Sequence, residues 1–193
     1  MSTKDSILQA ATRLFAEHGY EGMTMKEIAK EVGIKAPSLY AFFKSKEDIF
    51  LHIYRETIAR HLHLTINTAE LFRQQSAKAQ LEQLLHAVFD YQLQEADTMK
   101  IFIRILLFPP ASVKEDIRAE LLKMEQSEHA LFAQILQAGM DRGEIKQGDC
   151  DARATAMVCL MDGLFWEMQR YDEATFRKRL DVAWEQFWLG VAS

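Results

Sequence analysis

The sequence predicts an all-α protein of about nine helices, with an N-terminal three-helix helix-turn-helix domain and a larger helical domain after it. Two observations predict this fold class. The 193 residues include three prolines and eight glycines, which favours long helices over sheets with many turns. Apolar residues recur at three- and four-residue steps along most of the chain, and 49% hydrophobic content is enough for a core. We expect the two domains to comprise residues 1–46 and 47–193.

The first predicted helix covers residues 5–18 and is closed by Gly19. Its apolar residues fall on one face at helical spacing, so it is expected to pack against the two helices that follow. Tyr20 and Met23 are expected to seal this joint. The apolar face consists of Ile7, Leu8, Ala11, Leu14 and Phe15.

The second helix is predicted to begin near Met25. Thr24 and Glu27 have the spacing of a capping box, in which each side chain bonds the backbone N–H of the other residue. Ile28 and Val32, four residues apart, form its apolar face. The helix is expected to end at Gly33, because glycine adopts the left-handed conformation without steric cost.

The third helix is predicted to start near Pro37, since the first turn of a helix does not need the N–H that proline lacks. It is expected to pack through Leu39 and through either Phe42 or Phe43. Two short helices joined by a glycine-containing turn are typical of a helix-turn-helix, whose second helix enters the DNA major groove. A plain helical hairpin is the alternative that this pattern alone leaves open.

Three segments in this region make a more specific match: LFAEHGYEGMT, IAKEVGI and SLYAFFKSKEDIF. Together they resemble the N-terminal DNA-binding domain of the TetR family of bacterial transcriptional repressors, over residues 5–55. Beyond that range, the resemblance is one of length and helical layout. It implies a homodimer that binds an approximately palindromic operator and is released by a small-molecule effector.

The resemblance also implies which residues contact DNA. Thr24, Tyr40 and Lys46 match positions that hold phosphates, through a helix N-terminus, a hydroxyl and an ammonium group. The start of the third helix is expected to face base edges, where Lys35 suits guanine O6 and N7. Ala36 and Pro37 suit thymine methyl groups. The predicted DNA-binding residues are Thr24, Lys35, Ala36, Pro37, Ser38, Tyr40, Lys44 and Lys46.

Two residues depart from the family pattern. Lys35 stands where the family often has a capping serine, so either the third helix is capped less well or Lys35 serves base readout. Phe42 stands where many relatives have histidine. For Phe42, core packing is the favoured interpretation.

The distribution of charge is compatible with a DNA-binding N-terminus. The whole chain has a net charge of −5, but residues 1–60 hold nine Lys and Arg against eight Asp and Glu. Residues 22–46 hold five lysines against two glutamates. Because salt screens charges beyond about 10 Å at 0.1 M, the local excess of positive charge decides what DNA phosphates encounter.

The central part of the chain is predicted to form four helices over residues 46–71, 77–95, 97–108 and 112–140. The first is expected to link the DNA-binding domain to the rest of the chain. The segment IFIRILLF could be a buried strand, but Asp97, Lys100 and Arg104 lie on one helical stripe, which favours helix. Pro109 and Pro110 are expected to end that helix.

The last two helices, at about 151–170 and 173–191, contain more large apolar residues than one hairpin needs. A four-helix bundle between two copies of the chain would use them, although a monomer core is the alternative. The residues predicted at the dimer interface are Met157, Leu160, Leu164, Phe176, Leu180, Ala183, Trp184, Phe187, Trp188 and Val191.

The effector is expected to be small and largely apolar, and to enter a cavity among the central helices. The predicted contacts are aromatic and apolar side chains with three polar ones, although core or surface roles are the alternative for each. They are Phe89, Phe102, Arg104, Phe108, Met124, His129, Phe132, Asp162 and Trp166.

No cofactor or metal is predicted. His61 and His63 point apart on a helix, and Cys150 and Cys159 have the spacing of neither a zinc site nor a disulfide framework. The charged N-terminus does not resemble a signal peptide, so a cytoplasmic location is expected. The main alternative function is an architectural or activating DNA-binding protein without an effector. An enzyme using Asp162, Glu167 and His129 is not expected, because no catalytic motif accompanies them.

Overall fold

The computed structural model describes residues 2–193, apart from the side chains of residues 96 and 97. It confirms the all-α prediction. The helices are α1 (Thr3–His18), α2 (Met25–Val32), α3 (Ala36–Leu39), α4 (Lys46–Leu71), α5 (Ala77–Gln94), α6 (Ala96–Leu107), α7 (Lys114–Asp141), α8 (Cys150–Arg170) and α9 (Glu173–Val191). A 3-10 turn, Ala111–Val113, precedes α7.

Two helix bounds differ from the prediction for local reasons. Helix α1 begins at Thr3 because Ser2 and Asp5 form a capping box, in which the Asp5 carboxylate accepts the Ser2 N–H at 2.8 Å. The regular part of α3 ends at Leu39. Beyond it the backbone continues in tighter turns, with the Phe42 N–H donating to the Leu39 carbonyl at 3.0 Å. Helix α3 is therefore a single helical turn, followed by a segment of tighter turns.

The backbone forms two compact units. The first comprises the residues up to Arg60 together with Gln92–Leu122, and the second comprises His61–Tyr91 together with Lys123–Ser193. Each unit therefore contains parts of α4, α5 and α7. The segment IFIRILLF forms α6, as the stripe of charged residues predicts, and belongs to the first unit.

The first unit has an aromatic core where α1 meets α4. Phe15 and Tyr20 are stacked at 6.0 Å between ring centroids, and Phe50 contacts both rings edge-on at 5.0 Å. Met23, three residues after Tyr20 in the sequence, is 1% exposed, as expected for a residue that packs at this junction. Helix α6 is tied to α1 by Arg104, whose Nη1 donates to the Phe15 carbonyl at 3.3 Å.

The second unit is built around α5, α8 and α9. Phe89 of α5 contacts Phe176 of α9 at 5.3 Å, and the indole Nε1 of Trp184 donates to Glu82 at 3.0 Å. Because an indole N–H usually needs a partner when it is buried, this bond allows Trp184 to pack with 1% of its surface exposed. Helices α5 and α9 thus share one core inside the chain.

This packing revises the predicted dimer interface. Six of the ten predicted residues lie in the core of the protomer and are at most 7% exposed: Met157, Leu164, Phe176, Leu180, Trp184 and Val191. The helical spacing identified the apolar faces of α8 and α9 but not their partners, and the partner of α9 is the chain's own α5. The half-buried residues of the predicted set are Leu160, Ala183, Phe187 and Trp188.

Glu144 anchors the start of α5 and supplies a pH-dependent prediction. Its carboxylate accepts from Arg142 Nε and from the Ala77 N–H, each at 2.5 Å. The bond from Arg142, followed by that from Ala77, holds the pKa of Glu144 below its ordinary value of 4.5. A carboxylate with a lowered pKa stabilises the fold above that ordinary value, and this contribution is lost as the pH falls through the folded-state pKa.

We therefore expect Glu144→Gln to lower the free energy of unfolding at pH 7 and to have little effect at an acidic pH below the folded-state pKa of Glu144. Urea unfolding at both pH values, at one protein concentration, measures this difference. Glu115→Gln is the control, because Glu115 is an exposed glutamate of α7. An equal effect of Glu144→Gln at both pH values would contradict the role of its charge.

Candidate nucleic-acid interface

The turn between α2 and α3 has the geometry of a helix-turn-helix. Gly33 adopts the left-handed conformation, with φ 76° and ψ 25°. The Gly33 N–H donates to the Lys30 carbonyl at 3.1 Å, and the Ile34 N–H donates to the Ala29 carbonyl at 2.9 Å. These two bonds form a Schellman motif, which ends α2 and turns the chain sharply into α3. The predicted role of Gly33 is confirmed.

Helix α3 has one buried residue and several exposed ones. Leu39 is 0% exposed and attaches α3 to the core. Ala36 is half-buried. The residues that remain accessible to a partner include Lys35, Pro37, Ser38 and Tyr40, of which Tyr40 is 54% exposed.

Lys35 occupies the N-cap of α3 without a side-chain capping bond. A lysine has no acceptor with which to bond the free N–H groups of the first turn. The exposed ammonium group is therefore available to a partner, and the uncapped N–H groups leave positive partial charge at this end of α3. Of the two roles left open for Lys35, poorer capping is observed, and base readout stays a prediction.

Thr24 is exposed at the start of α2, and its hydroxyl is occupied locally. The Glu27 carboxylate accepts from both the N–H and the hydroxyl of Thr24 at 2.8 Å, while Thr24 Oγ1 accepts the Glu27 N–H at 3.2 Å. The hydroxyl and backbone bonds from Thr24 lower the pKa of Glu27. The predicted capping box is confirmed. A phosphate contact at Thr24 would use the helix N-terminus, because the hydroxyl already has partners.

Lys46 is held by a residue that the sequence analysis did not connect with it. Its Nζ donates to the Tyr20 carbonyl at 2.8 Å and lies 4.0 Å from the centroid of the Tyr20 ring. The Tyr20 hydroxyl in turn donates to Glu47 at 2.6 Å. Burial, followed by the bond to Glu47, raises the pKa of Tyr20. Tyr20 thus orients Lys46 at the start of α4. The two residues are 26 positions apart, so no local sequence pattern reveals this contact.

The expectation that Phe42 packs in the core is wrong. Phe42 is 45% exposed, whereas Phe43 is 2% exposed and takes the core position. The Phe43 ring contacts His52 edge-on at 5.6 Å and has the ammonium of Lys4 5.7 Å from its centroid. The turn after Leu39 directs the second of the two phenylalanines inward. Phe42 therefore adds an exposed aromatic side chain two residues after Tyr40 in the sequence, and Lys44 is exposed two residues later.

The predicted effector contacts are divided between the two units. Arg104 and Phe108 line a pocket of about 490 Å³ in the first unit. Phe102 belongs to the same unit and is stacked on Tyr54 at 5.6 Å. In the second unit, Phe89 and Phe132 are at most 1% exposed and pack in the core.

The remaining predicted contacts lie on α7 and α8. His129 Nε2 is 3.2 Å from Thr155 Oγ1 and 3.5 Å from the Asp151 carboxylate. Asp162 is exposed as a residue, but its carboxyl is partly desolvated by surrounding protein atoms. This desolvation, followed by the charges of Glu128 and Glu125, raises the pKa of Asp162. Met124 is half-buried, and Trp166 is 39% exposed.

Glu167 and His129, which were considered for acid–base chemistry, bind different partners. Glu167 binds Arg170 and Arg179, whereas His129 bonds at the start of α8. Within the described part of the chain, His, Cys, Asp and Glu side chains form no cluster of three that could bind a metal ion. A bilayer-spanning segment is absent from the helices that the structure describes.

Comparison with known proteins agrees with this geometry. Residues 7–53 match the family model of bacterial regulatory proteins of the tetR family. The chain is 29% identical over 157 residues to the HTH-type transcriptional regulator YhgD of Bacillus subtilis, covering 81% of this chain and 78% of that protein. It is 42% identical over 57 residues to the HTH-type transcriptional repressor AcnR of Corynebacterium diphtheriae, covering 30% of each chain.

The fold also matches solved structures. The crystal structure of the transcriptional regulator FadR from Bacillus subtilis in complex with stearoyl-CoA superposes with a TM-score of 0.72. The aligned region covers 95% of this chain and 96% of that one, at 21% sequence identity. At this identity the likeness shows a shared fold.

Proposed function

Because the chain belongs to the TetR family of DNA-binding transcriptional regulators, we propose that two copies bind an approximately palindromic operator and repress transcription until a small-molecule effector releases them. The observation that carries the DNA-binding part is the sharp turn at Gly33, followed by the exposed Lys35, Pro37, Ser38 and Tyr40. A helix presented in this way has the shape that enters the major groove.

The proposed DNA contacts are of two kinds. Lys35, Ala36, Pro37 and Ser38 face base edges and provide sequence specificity. The phosphate contacts come from the N-terminus of α2 at Thr24, the Tyr40 hydroxyl and the ammonium groups of Lys44 and Lys46. The bond from Lys46 to the Tyr20 carbonyl supports this role, because it restricts a long side chain before DNA binds and so lowers the entropy cost of the contact.

A dimer is proposed because one recognition helix has limited affinity and two on a shared operator act together. The exposed apolar residues of α8 and α9 favour these helices as the contact surface. Val182 and Leu189 are 63% and 61% exposed and lie seven residues apart, on one face of α9, and Trp166 is exposed on α8. Two recognition helices about 34–36 Å apart would read half-sites one helical turn apart.

The effector part of the proposal is supported by the FadR likeness, since that regulator binds stearoyl-CoA within the same fold. An effector acts only through its different affinity for the DNA-binding and the released conformation. We propose that the effector of this chain is small and largely apolar.

Selection of DNA fragments from a random pool by the purified protein, at two salt concentrations, tests the function. Enrichment of one palindrome with half-sites about one turn apart is the expected result. In titrations with the selected fragment, Tyr40→Phe should weaken binding, and Lys46→Ala should weaken it more. Recovery of DNA without a shared sequence, and its loss at higher salt, would contradict sequence-specific regulation.

The salt dependence of operator binding should identify Lys44 as a phosphate contact. Each neutralised phosphate contributes about 0.9 to the slope of log affinity against log salt concentration. A dimer contains Lys44 twice, so Lys44→Ala should lower that slope by about 2 and weaken binding to all sequences similarly. Lys146→Ala is the matched control, since Lys146 is exposed in the loop between α7 and α8, away from α3 in sequence and outside the proposed dimer surface. An unchanged slope for Lys44→Ala would remove Lys44 from the interface.

A further inference from the structure

The pocket of the first unit lies where the end of α1 meets α4, α6 and the segment that follows α6. Its volume of about 490 Å³ is within the range of small-molecule sites, about 300–1,000 Å³. All its lining residues belong to the first unit, which also contains the DNA-reading helices. The walls are mainly aromatic and aliphatic: Phe15, Tyr20, Phe50, Ile105, Phe108 and Pro109.

The walls of the pocket suit a flat apolar body. The rings of Phe15 and Tyr20 are within 8° of parallel, and the Phe50 ring stands against both at a steep angle. Phe108 is 79% exposed, so its ring is open to contact at the mouth. Aromatic rings prefer offset-stacked or edge-on contacts with other rings, which favours an aromatic ligand over a flexible chain here.

The polar groups of the pocket suit an anion. Arg104 donates from Nη1 to the Phe15 carbonyl, and no carboxylate among the described side chains pairs with it. Its Nε and Nη2 groups remain as donors, and a guanidinium binds a carboxylate with particularly good geometry. His18, whose side chain is 51% exposed and whose Nε2 lies 3.6 Å from the Glu17 carboxylate, also lines the pocket, and Glu21 is the one acidic residue of its lining.

We propose that this pocket binds a small aromatic monocarboxylate, with the ring system against Tyr20 and Phe108 and the carboxylate on Arg104. Of the predicted effector contacts, this site uses Arg104 and Phe108. Arg104 and His18 in the lining, together with the exposed ring of Phe108, distinguish it from a purely apolar pocket.

The site deepens the proposed function, on which its regulatory meaning rests. The carbonyl that Arg104 binds belongs to Phe15, and Tyr20, whose ring lines the pocket, holds Lys46 through its own carbonyl and ring. A carboxylate bound by Nε and Nη2 of Arg104 leaves the Nη1 bond between α6 and α1 in place, while the ring system of the ligand contacts Tyr20. Occupancy therefore acts on the residues that position a proposed phosphate contact.

The test uses 2-naphthoate as the probe and the full-length protein without DNA. Isothermal titration should detect saturable binding of 2-naphthoate, and weaker binding of the neutral 2-naphthamide, which has nearly the same shape. Arg104→Gln should weaken binding of 2-naphthoate about tenfold or more, because a charge-assisted bond is lost, and should leave 2-naphthamide nearly unaffected.

Variants of His18 and Glu21, which also line the pocket, test whether the ligand is an anion without removing Arg104. His18→Glu should weaken binding of 2-naphthoate, and Glu21→Gln should strengthen it. Both positions are exposed enough for these changes to leave the fold intact, which thermal unfolding checks. They keep the proposal testable even if Arg104→Gln destabilises the contact between α6 and α1.

Absence of binding by 2-naphthoate would overturn the proposal, as would equal binding of the acid and the amide, or affinities unchanged in all three variants. Failure of the proposed function would show differently, as loss of sequence-specific DNA binding in the absence of any probe. DNA titrations of the same protein samples, with and without 2-naphthoate, keep the two results apart.

Discussion

Replacing Trp184 with alanine is expected to lower the free energy of unfolding by about 3–5 kcal/mol, the usual cost of truncating a large buried aromatic residue. Trp184 is 1% exposed, contacts Phe187 and Trp188, and donates its indole N–H to Glu82. The substitution leaves a cavity between α5 and α9 and removes the partner of a carboxylate. Urea unfolding followed by circular dichroism measures the change at a fixed protein concentration.

The control for Trp184→Ala is Leu189→Glu, on the same helix. Leu189 is 61% exposed, so a charge there should change the stability of the protomer little but should weaken association, as sedimentation velocity would show. This pair separates the core of the protomer from the proposed dimer surface. A monomer of unchanged stability after Trp184→Ala would show that Trp184 acts between protomers and not within one.

Replacing Leu39 with alanine is expected to weaken specific DNA binding strongly while most of the helical content is kept. Helix α3 has four residues, too few to be stable in isolation, and Leu39 is its one buried residue. Loss of a buried leucine side chain costs about 2–5 kcal/mol. Since each 1.4 kcal/mol corresponds to about tenfold in affinity, displacement of α3 should weaken operator binding at least tenfold.

Leu81→Ala is the matched control for Leu39→Ala. Leu81 is equally buried, at 0% exposed, but lies on α5 in the second unit. Both variants should lose stability, and only Leu39→Ala should lose operator affinity in a titration below the temperature at which either unfolds. Equal loss of affinity in both would mean that global stability, and not the position of α3, controls DNA binding.

The parts of the site that sequence could predict depend on short-range chemistry. The capping box of Thr24 and Glu27 and the left-handed turn at Gly33 involve residues at most five positions apart, so their geometry follows from residue type and spacing. The same is true of the exposed lysines around α3. The family resemblance uses these same residues, and the DNA-binding regulator that it predicted is confirmed.

The parts that sequence could not predict depend on contacts between distant residues. Phe42 and Phe43 are the same residue type and adjacent in sequence, and only the turn after α3 decides which one packs in the core. The contacts of Lys46 with Tyr20 and of Arg104 with Phe15 join residues 26 and 89 positions apart. No helical period carries information about such pairs.

By itself, then, the sequence determined the all-α class, the caps and turn of the helix-turn-helix, and the apolar faces of α8 and α9, because hydrogen-bonding capacity and helical periodicity are local properties. The tertiary structure alone decided what those apolar faces pack against. Burial of apolar surface stabilises a fold whichever apolar surface covers it. A stripe of apolar residues therefore specifies that a surface is covered and not which helix covers it. That is why Trp184, predicted at the dimer interface, packs inside the protomer with 1% of its surface exposed.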